Sequence, residues 1–320
     1  MKLALIYHYY ELNDEYRDNL IHFVSKVWSQ YLDLYIVVAG HSSVSIPVKK
    51  NIHILTVENK NNDYGGYSDL VNSGLLSLDV YDLYIFINSS VRGPFLPDFV
   101  ETDWTDLFFN KIQEGFGLVG ITMNELPANS KYSAPYFPER VEAENLSHIQ
   151  TTVYALSKEA LNYLVNTGFY AEKEFLSKNE VVANYEVGLT KILKSGGFRI
   201  VSLIRPPSAF AKGYQNNFSS DSGDILSLNG YYCRTLSPYE LLFVKVNRGL
   251  LTRTVLTSIT FTSLINSEDK IGFWDAREIL KRRLSRELIQ INFWHKIIKW
   301  VRARVLGLKI RFQNLIRRND

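Results

Sequence analysis

The chain has 320 residues, 46% of them hydrophobic and 22% charged, enough to bury a full core and ordinary for a globular protein. Its single cysteine, Cys233, excludes an internal disulfide and a cysteine-built zinc site. The net charge of +3 hides an asymmetry: residues 277–320 hold 13 Lys+Arg against 3 acidic side chains, leaving 23 basic and 30 acidic residues elsewhere.

The first apolar run, Leu3 to Tyr7, suits a buried strand and is too short for a secretory signal. No stretch reaches the length of a membrane span. A polar turn over Glu11–Asp14 precedes helical spacing from Leu20 to Trp28. Leu34–Val38, ending at Gly40, and Asn51–Val57 are the next two strands. A turn carrying Gly65 and Gly66 then leads to a helix predicted over Ser68–Leu78. The strand Leu83–Ile87 follows, and it stops in the polar cluster Asn88-Ser89-Ser90 and Arg92-Gly93-Pro94. A glycine turn entering a helix, beside a strand with polar side chains at its C-terminal end, is where an open α/β sheet takes a phosphorylated ligand.

Further along, the pattern predicts a helix over Asp103–Gln113, a strand over Gly117–Ile121 and a long loop from Asn124 to Asn145 containing Pro127, Pro135 and Pro138. His148–Leu156 alternates like a strand, so His148 and Gln150, two apart, face one side and suit acceptor hydroxyls. Helices over Lys158–Asn166 and Asn184–Lys194 follow, the second ended by Gly196 and Gly197, and Phe198–Ile204 is a last strand closed by Pro206-Pro207. Strands alternating with helices in this order predict an α/β fold with a mostly parallel sheet.

Five blocks carry a family resemblance: NDYGGYSDL (Asn62–Leu70), YDLYIFINSSVRGPFLP (Tyr81–Pro97), HIQTTVYALSKEAL (His148–Leu161), YEVGLTKILKSGGFRI (Tyr185–Ile200) and SPYELLFVKVNRG (Ser237–Gly249). In this order they resemble bacterial GT-A glycosyltransferases of surface-polysaccharide clusters (capsule, O-antigen and rhamnan synthesis). The resemblance implies a Rossmann-like GT-A domain over residues 1–250 and a helical, basic extension over 251–320. It implies an inverting hexosyltransferase that moves a sugar from a nucleotide donor to a lipid-linked glycan. The donor would be a UDP-sugar, with a hexose, galactofuranose and rhamnosyl donors open, and the enzyme would sit in the cytoplasm at the inner membrane face.

Such enzymes hold a divalent cation, Mn²⁺ or Mg²⁺, with an Asp-x-Asp, and Asn88-Ser89-Ser90 occupies that place without a carboxylate. Either Asp63 or Asp69 holds the metal, or cations at Arg92, Lys245 and Arg248 replace it. Lys245 and Arg248, three apart, suit one helical face. With Gly65, Gly66, Asn88, Ser89 and Ser90 these residues make the expected donor site. By the same resemblance Glu186, near the start of its helix, is the general base. The missing Asp-x-Asp also leaves open a catalytically inactive binding or scaffold subunit of the same fold.

In the basic tail, Ile297, Val301, Val305, Leu308, Phe312 and Leu315 recur at steps of three and four, with Lys and Arg between them. An anionic membrane surface, packing on the body and a homodimer seam are all compatible with this pattern. Nucleic acid is the least favoured partner, because no recognised nucleic-acid module accompanies the tail.

Overall fold

A computed structural model describes residues 2–28, 32–126, 130, 132, 146–171, 174–205, 223–265, 289–290 and 292–302. Most of the loop expected at 124–145 lies outside the described residues, as does most of the tail, including Val305, Leu308, Phe312 and Leu315.

The centre is a seven-stranded sheet. Its strands are β1 (Leu3–Tyr9), β2 (Asp33–Ala39), β3 (Ile52–Val57), β4 (Leu83–Asn88), β6 (Phe116–Gly120), β9 (Val153–Ser157) and β10 (Arg199–Ser202). They lie in the order β10-β6-β9-β4-β1-β2-β3. All run parallel except β9, which inserts antiparallel between β4 and β6. Two short ribbons complete the strands: β5 (Val91–Arg92) with β11 (Val244–Lys245), and β7 (Met123–Leu126) with β8 (Leu146–Ile149).

The alternation of β1 divides the core. Leu5, Tyr7 and Tyr9 face a layer that includes Leu20, Phe23 and Val24 of α1 (Asp14–Val27) and Trp104 and Phe108 of α3 (Trp104–Gln113). Ala4 and Ile6 face Tyr64, Tyr67 and Leu70 of α2 (Asn62–Asn72), Leu161 and Leu164 of α4 (Lys158–Asn166), and Leu189 and Leu193 of α6 (Gly188–Ser195). Both faces of β1, β2 and β4 are covered, so these strands read as unbroken apolar runs.

Helix starts follow local chemistry. Asn13 caps α1 by accepting from the backbone N–H of Glu15 and Tyr16, and Asp103 caps α3 by accepting from Thr105 N–H. Ser177 and Glu180 form a reciprocal capping box at α5 (Lys178–Val181), which runs through a π-helical turn (Val182–Val187) into α6.

Three expectations are corrected. The Gly65–Gly66 pair is inside α2, not a turn before it: a Cβ on Gly66 would lie 2.5 Å from His8 Cδ2 and 3.0 Å from Val37 Cγ1, and one on Gly65 would collide with the Lys60 carbonyl. Close approach of helix to sheet selects Gly66, and the approach of the preceding Lys60 carbonyl selects Gly65; the helix ends at Ser73, before Gly74 with φ of +74°. The strand predicted over 148–156 is two strands, β8 and β9, with a turn at Gln150–Thr152 that carries the chain from the ribbon into the sheet. Glu186 is not at a helix start but within the π turn.

Packing continues past the boundary expected at residue 250. Helix α8 (Arg253–Ile265) packs on α1 through Leu264 against Ile21, and the hydroxyl and carbonyl of its Ser263 meet His22 and Lys26 of α1. Beyond α8, residues 292–302 are helical, and no helix among the described residues is long and apolar enough to cross a membrane. Helix α7 (Pro238–Leu241) leads into β11.

Candidate functional site

Strand β1 has β2 on one side and β4 on the other, so the order reverses between β1 and β4. Open α/β sheets bind ligands in the crevice beyond the C-terminal strand ends at such a point. A cavity of about 540 Å³ lies there, lined by His8 and Tyr10 at the end of β1 and by Asn88, Ser89 and Ser90 at the end of β4. Its size is that of a small-molecule site.

The turn after β4 is tied down through its own polar atoms. Asn88 Nδ2 donates to Asp63 Oδ2 at 3.1 Å, and Asn88 Oδ1 accepts from both the N–H and the hydroxyl of Ser90. Ser89 N–H donates to the His8 carbonyl at 2.9 Å, and its hydroxyl oxygen accepts from Tyr10 N–H at 3.0 Å. The β5–β11 ribbon brings residues 244–248 beside this turn: Val246 N–H donates to the Ser90 carbonyl, and Asn247 Nδ2 to Tyr16 Oη at 2.8 Å. Lys245 and Arg248 thereby reach the cavity from a strand and the 3₁₀ turn that follows it, not from one helical face.

Three charged side chains set the electrostatics. Burial pushes the Asp63 carboxyl up to about 6, against the lowering pull of the Asn88 hydrogen bond and Lys245. Burial also raises Glu186, which the π turn aims into the cavity, again opposed by Lys245. Lys245 is lowered by burial and supported by Glu186 and Asp63. Lys178, at the first turn of α5, adds a further cation to the lining, and Asp224 a further carboxylate.

On the opposite side, the β7–β8 ribbon and the turn after it supply Asn124, His148 and Gln150. Thr122 Oγ1 donates to Gln150 Oε1 at 2.7 Å, and both His148 and Gln150 line the cavity. His8 is almost fully buried in the floor. Burial lowers its ring to about 4, so it is neutral at pH 7, and its Nε2 has no hydrogen-bond partner among the described residues.

Of the residues expected in the site, Asp63, Asn88, Ser89, Ser90, His148, Gln150, Glu186, Lys245 and Arg248 line one cavity. Gly65, Gly66, Asp69 and Arg92 do not. Gly66 serves helix–sheet packing, Gly65 makes room for the Lys60 carbonyl, and Asp69 pairs with Lys60 at 3.6 Å. Arg92 points away into the core, donating to Asn19 Oδ1 at 2.7 Å, Thr260 Oγ1 at 3.3 Å and the Glu15 carbonyl at 3.3 Å. Sequence reasoning missed His8, Lys178 and Asp224. For His8 a signal existed, since it ends the first strand beside the reversal.

Among the described residues, no group of three or more His, Cys, Asp or Glu side chains converges to hold a metal. Asn88, Ser89 and Ser90 direct their polar atoms to one another, to Asp63 and to Tyr10. This donor set does not fit a carboxylate-rich divalent-cation site. What it offers instead is positive charge from Lys178, Lys245 and Arg248 beside a carboxylate with raised proton affinity.

No protein-family model and no curated protein matches the sequence. Among solved structures, a glycosyltransferase involved in glycosylation of the major capsid of PBCV-1 aligns at 12% identity over 63% of this chain and 81% of its own, with a TM-score of 0.34. Glucosyl-3-phosphoglycerate synthase from Mycobacterium tuberculosis, in complex with Mn²⁺, UDP-glucose and phosphoglyceric acid, aligns at 15% identity over 66% and 74%, with a TM-score of 0.34. Mouse xyloside xylosyltransferase 1 aligns at 11% identity over 78% and 99%, with a TM-score of 0.39.

Proposed function

We propose that the chain is a glycosyltransferase that takes a nucleoside-diphosphate sugar into the cavity between β1 and β4. The observation that carries this reading is the convergence of Glu186 with Lys245 and Arg248 at the point where the strand order reverses. The five sequence blocks point the same way and favour a GT-A enzyme with a UDP-hexose or UDP-galactofuranose donor. The acceptor in this reading is a surface glycan on a lipid carrier at the inner face of the cytoplasmic membrane.

The transfer is an inverting displacement. The acceptor hydroxyl oxygen forms a bond to the anomeric carbon while its proton passes to the Glu186 carboxylate. The bond from that carbon to the β-phosphate oxygen breaks, and its electron pair leaves with the diphosphate. Lys178, Lys245 and Arg248 meet the charge that grows on the leaving group, where fixed cations in a water-poor site act most strongly. Raised proton affinity suits Glu186 to accept a proton near neutral pH. His148 and Gln150 orient sugar hydroxyls.

The test is a panel of UDP-, GDP- and dTDP-sugars, each assayed with and without EDTA for binding, hydrolysis and transfer, with the product anomer read by NMR. One donor that binds and turns over with inversion is expected. If no sugar nucleotide binds at millimolar concentration, the reading fails; binding without turnover would mark an inactive subunit.

A further inference from the structure

Residues 292–302 form a helix whose two sides differ sharply. At 3.6 residues per turn, Phe293, Trp294, Ile297, Ile298, Trp300 and Val301 fall within one arc of roughly 160°. His295, Lys296, Lys299 and Arg302 occupy the other side. The apolar arc is not tucked into the body: Trp294 is 61% exposed, Phe293 60% and Trp300 56%. Phe293 and Trp294 meet edge to face with ring centroids 6.2 Å apart, forming one aromatic surface.

An aromatic apolar face this open, on a helix otherwise carrying cations, lies within a segment of 13 basic and 3 acidic residues. We infer that this helix lies in the plane of an anionic lipid bilayer, with Trp294, Trp300 and Phe293 at the headgroup–acyl boundary and Lys296, Lys299 and Arg302 against lipid phosphates. Tryptophan suits that boundary because its ring is apolar and its N–H needs a wet partner. The complementary charge favours an anionic bilayer over an uncharged protein groove. A second copy of the same helix would bring like charges together. The inference concerns attachment alone and is independent of the chemistry in the cavity.

The full chain is floated with vesicles of phosphatidylcholine, with and without phosphatidylglycerol, while tryptophan emission is followed. Binding to the anionic vesicles with a blue shift is expected, weakening as salt is raised. Trp294→Ser with Trp300→Ser abolishes flotation, and Lys296→Gln, Lys299→Gln and Arg302→Gln together weaken it by about a hundredfold, from about fivefold per cation. All these side chains are on the helix surface, so the thermal midpoint stays at the parent value. The inference is overturned by absence of flotation, by flotation that ignores lipid charge and these substitutions, or by a dimer that the tryptophan substitutions dissolve in the absence of vesicle binding.

Discussion

At the scale of single residues, Glu186 and Asp63 share a cavity with Lys245, and their burial sets what each can do near neutral pH. Glu186→Gln keeps the shape and removes the proton acceptor, so kcat should fall by about 10²–10⁴-fold with little change in donor KM. In the parent enzyme, kcat/KM should decline on the acid side at a pH above the ordinary carboxylate range, because Glu186 protonates early. Asp63 gives a separate signature in stability. Its folded value is about 6 against an ordinary 3.8, so as pH rises the unfolded chain loses this proton first. Stability from this group is full below 3.8, is lost as pH climbs to about 6, and is level above. Urea melts across that window should show Asp63→Asn matching the parent at the acid end and exceeding it at the neutral end. A difference between parent and Asp63→Asn that does not grow across the window would refute the assignment.

Arg92 belongs to the scale of elements, because it joins three of them. From β5 its guanidinium reaches Asn19 and Glu15 on α1 and Thr260 on α8, and Asn19 in turn donates to the Ser89 carbonyl at 2.8 Å. Arg92→Met strands these acceptors in the core and should cost about 2–4 kcal/mol in urea unfolding, since each buried polar group left unmade costs about 1–3 kcal/mol. Lys245→Ala and Arg248→Ala should show the reverse profile, with stability near the parent and donor Kd raised by about ten- to a hundredfold, the worth of a hydrogen bond to a charged group. If Arg92→Met instead raised donor Kd most while leaving stability intact, the guanidinium would belong to the site after all.

The same elements show what the sequence could reveal. The runs DLYIVVA and LYIFIN were legible as strands because cover on both faces removes polar positions. The end of β4 was legible as a site because Asn88-Ser89-Ser90 breaks such a run. The start of α2 was not legible. A glycine pair ordinarily punctuates, and only the approach of Gly66 to His8 and Val37 explains it within a helix. The direction of Arg92 was hidden for a related reason: its partner on α8 lies 168 residues along the chain. Lys178 and Asp224 come from segments with no motif, and only the fold brings them to the cavity.

At the scale of the molecule, the question is where the packed body ends. Gly249 closes the last resembling block and the expected boundary follows at residue 250, but the packing does not stop there. In α8, Leu264 is fully buried and Leu256 nearly so, Thr260 Oγ1 receives Arg92, and Ser263 meets His22 and Lys26. A chain ending at Leu250 would expose the α1 surface around Ile21 and leave the Arg92 guanidinium and the His22 ring short of partners. Burial of each leucine is worth about 1.5–3 kcal/mol, so the loss reaches several kcal/mol against a typical total of about 5–15. The thermal midpoint should fall on the order of 10 °C relative to the full chain. Because β11 and the Lys245–Arg248 turn directly precede α8, donor affinity should weaken together with stability. A chain ending at Leu250 that melts and binds donor like the parent would make α8 an appendage. Loss of both together would mean that Lys245 and Arg248, the cations proposed to meet the donor diphosphate, are held in place by a helix that does not line the cavity.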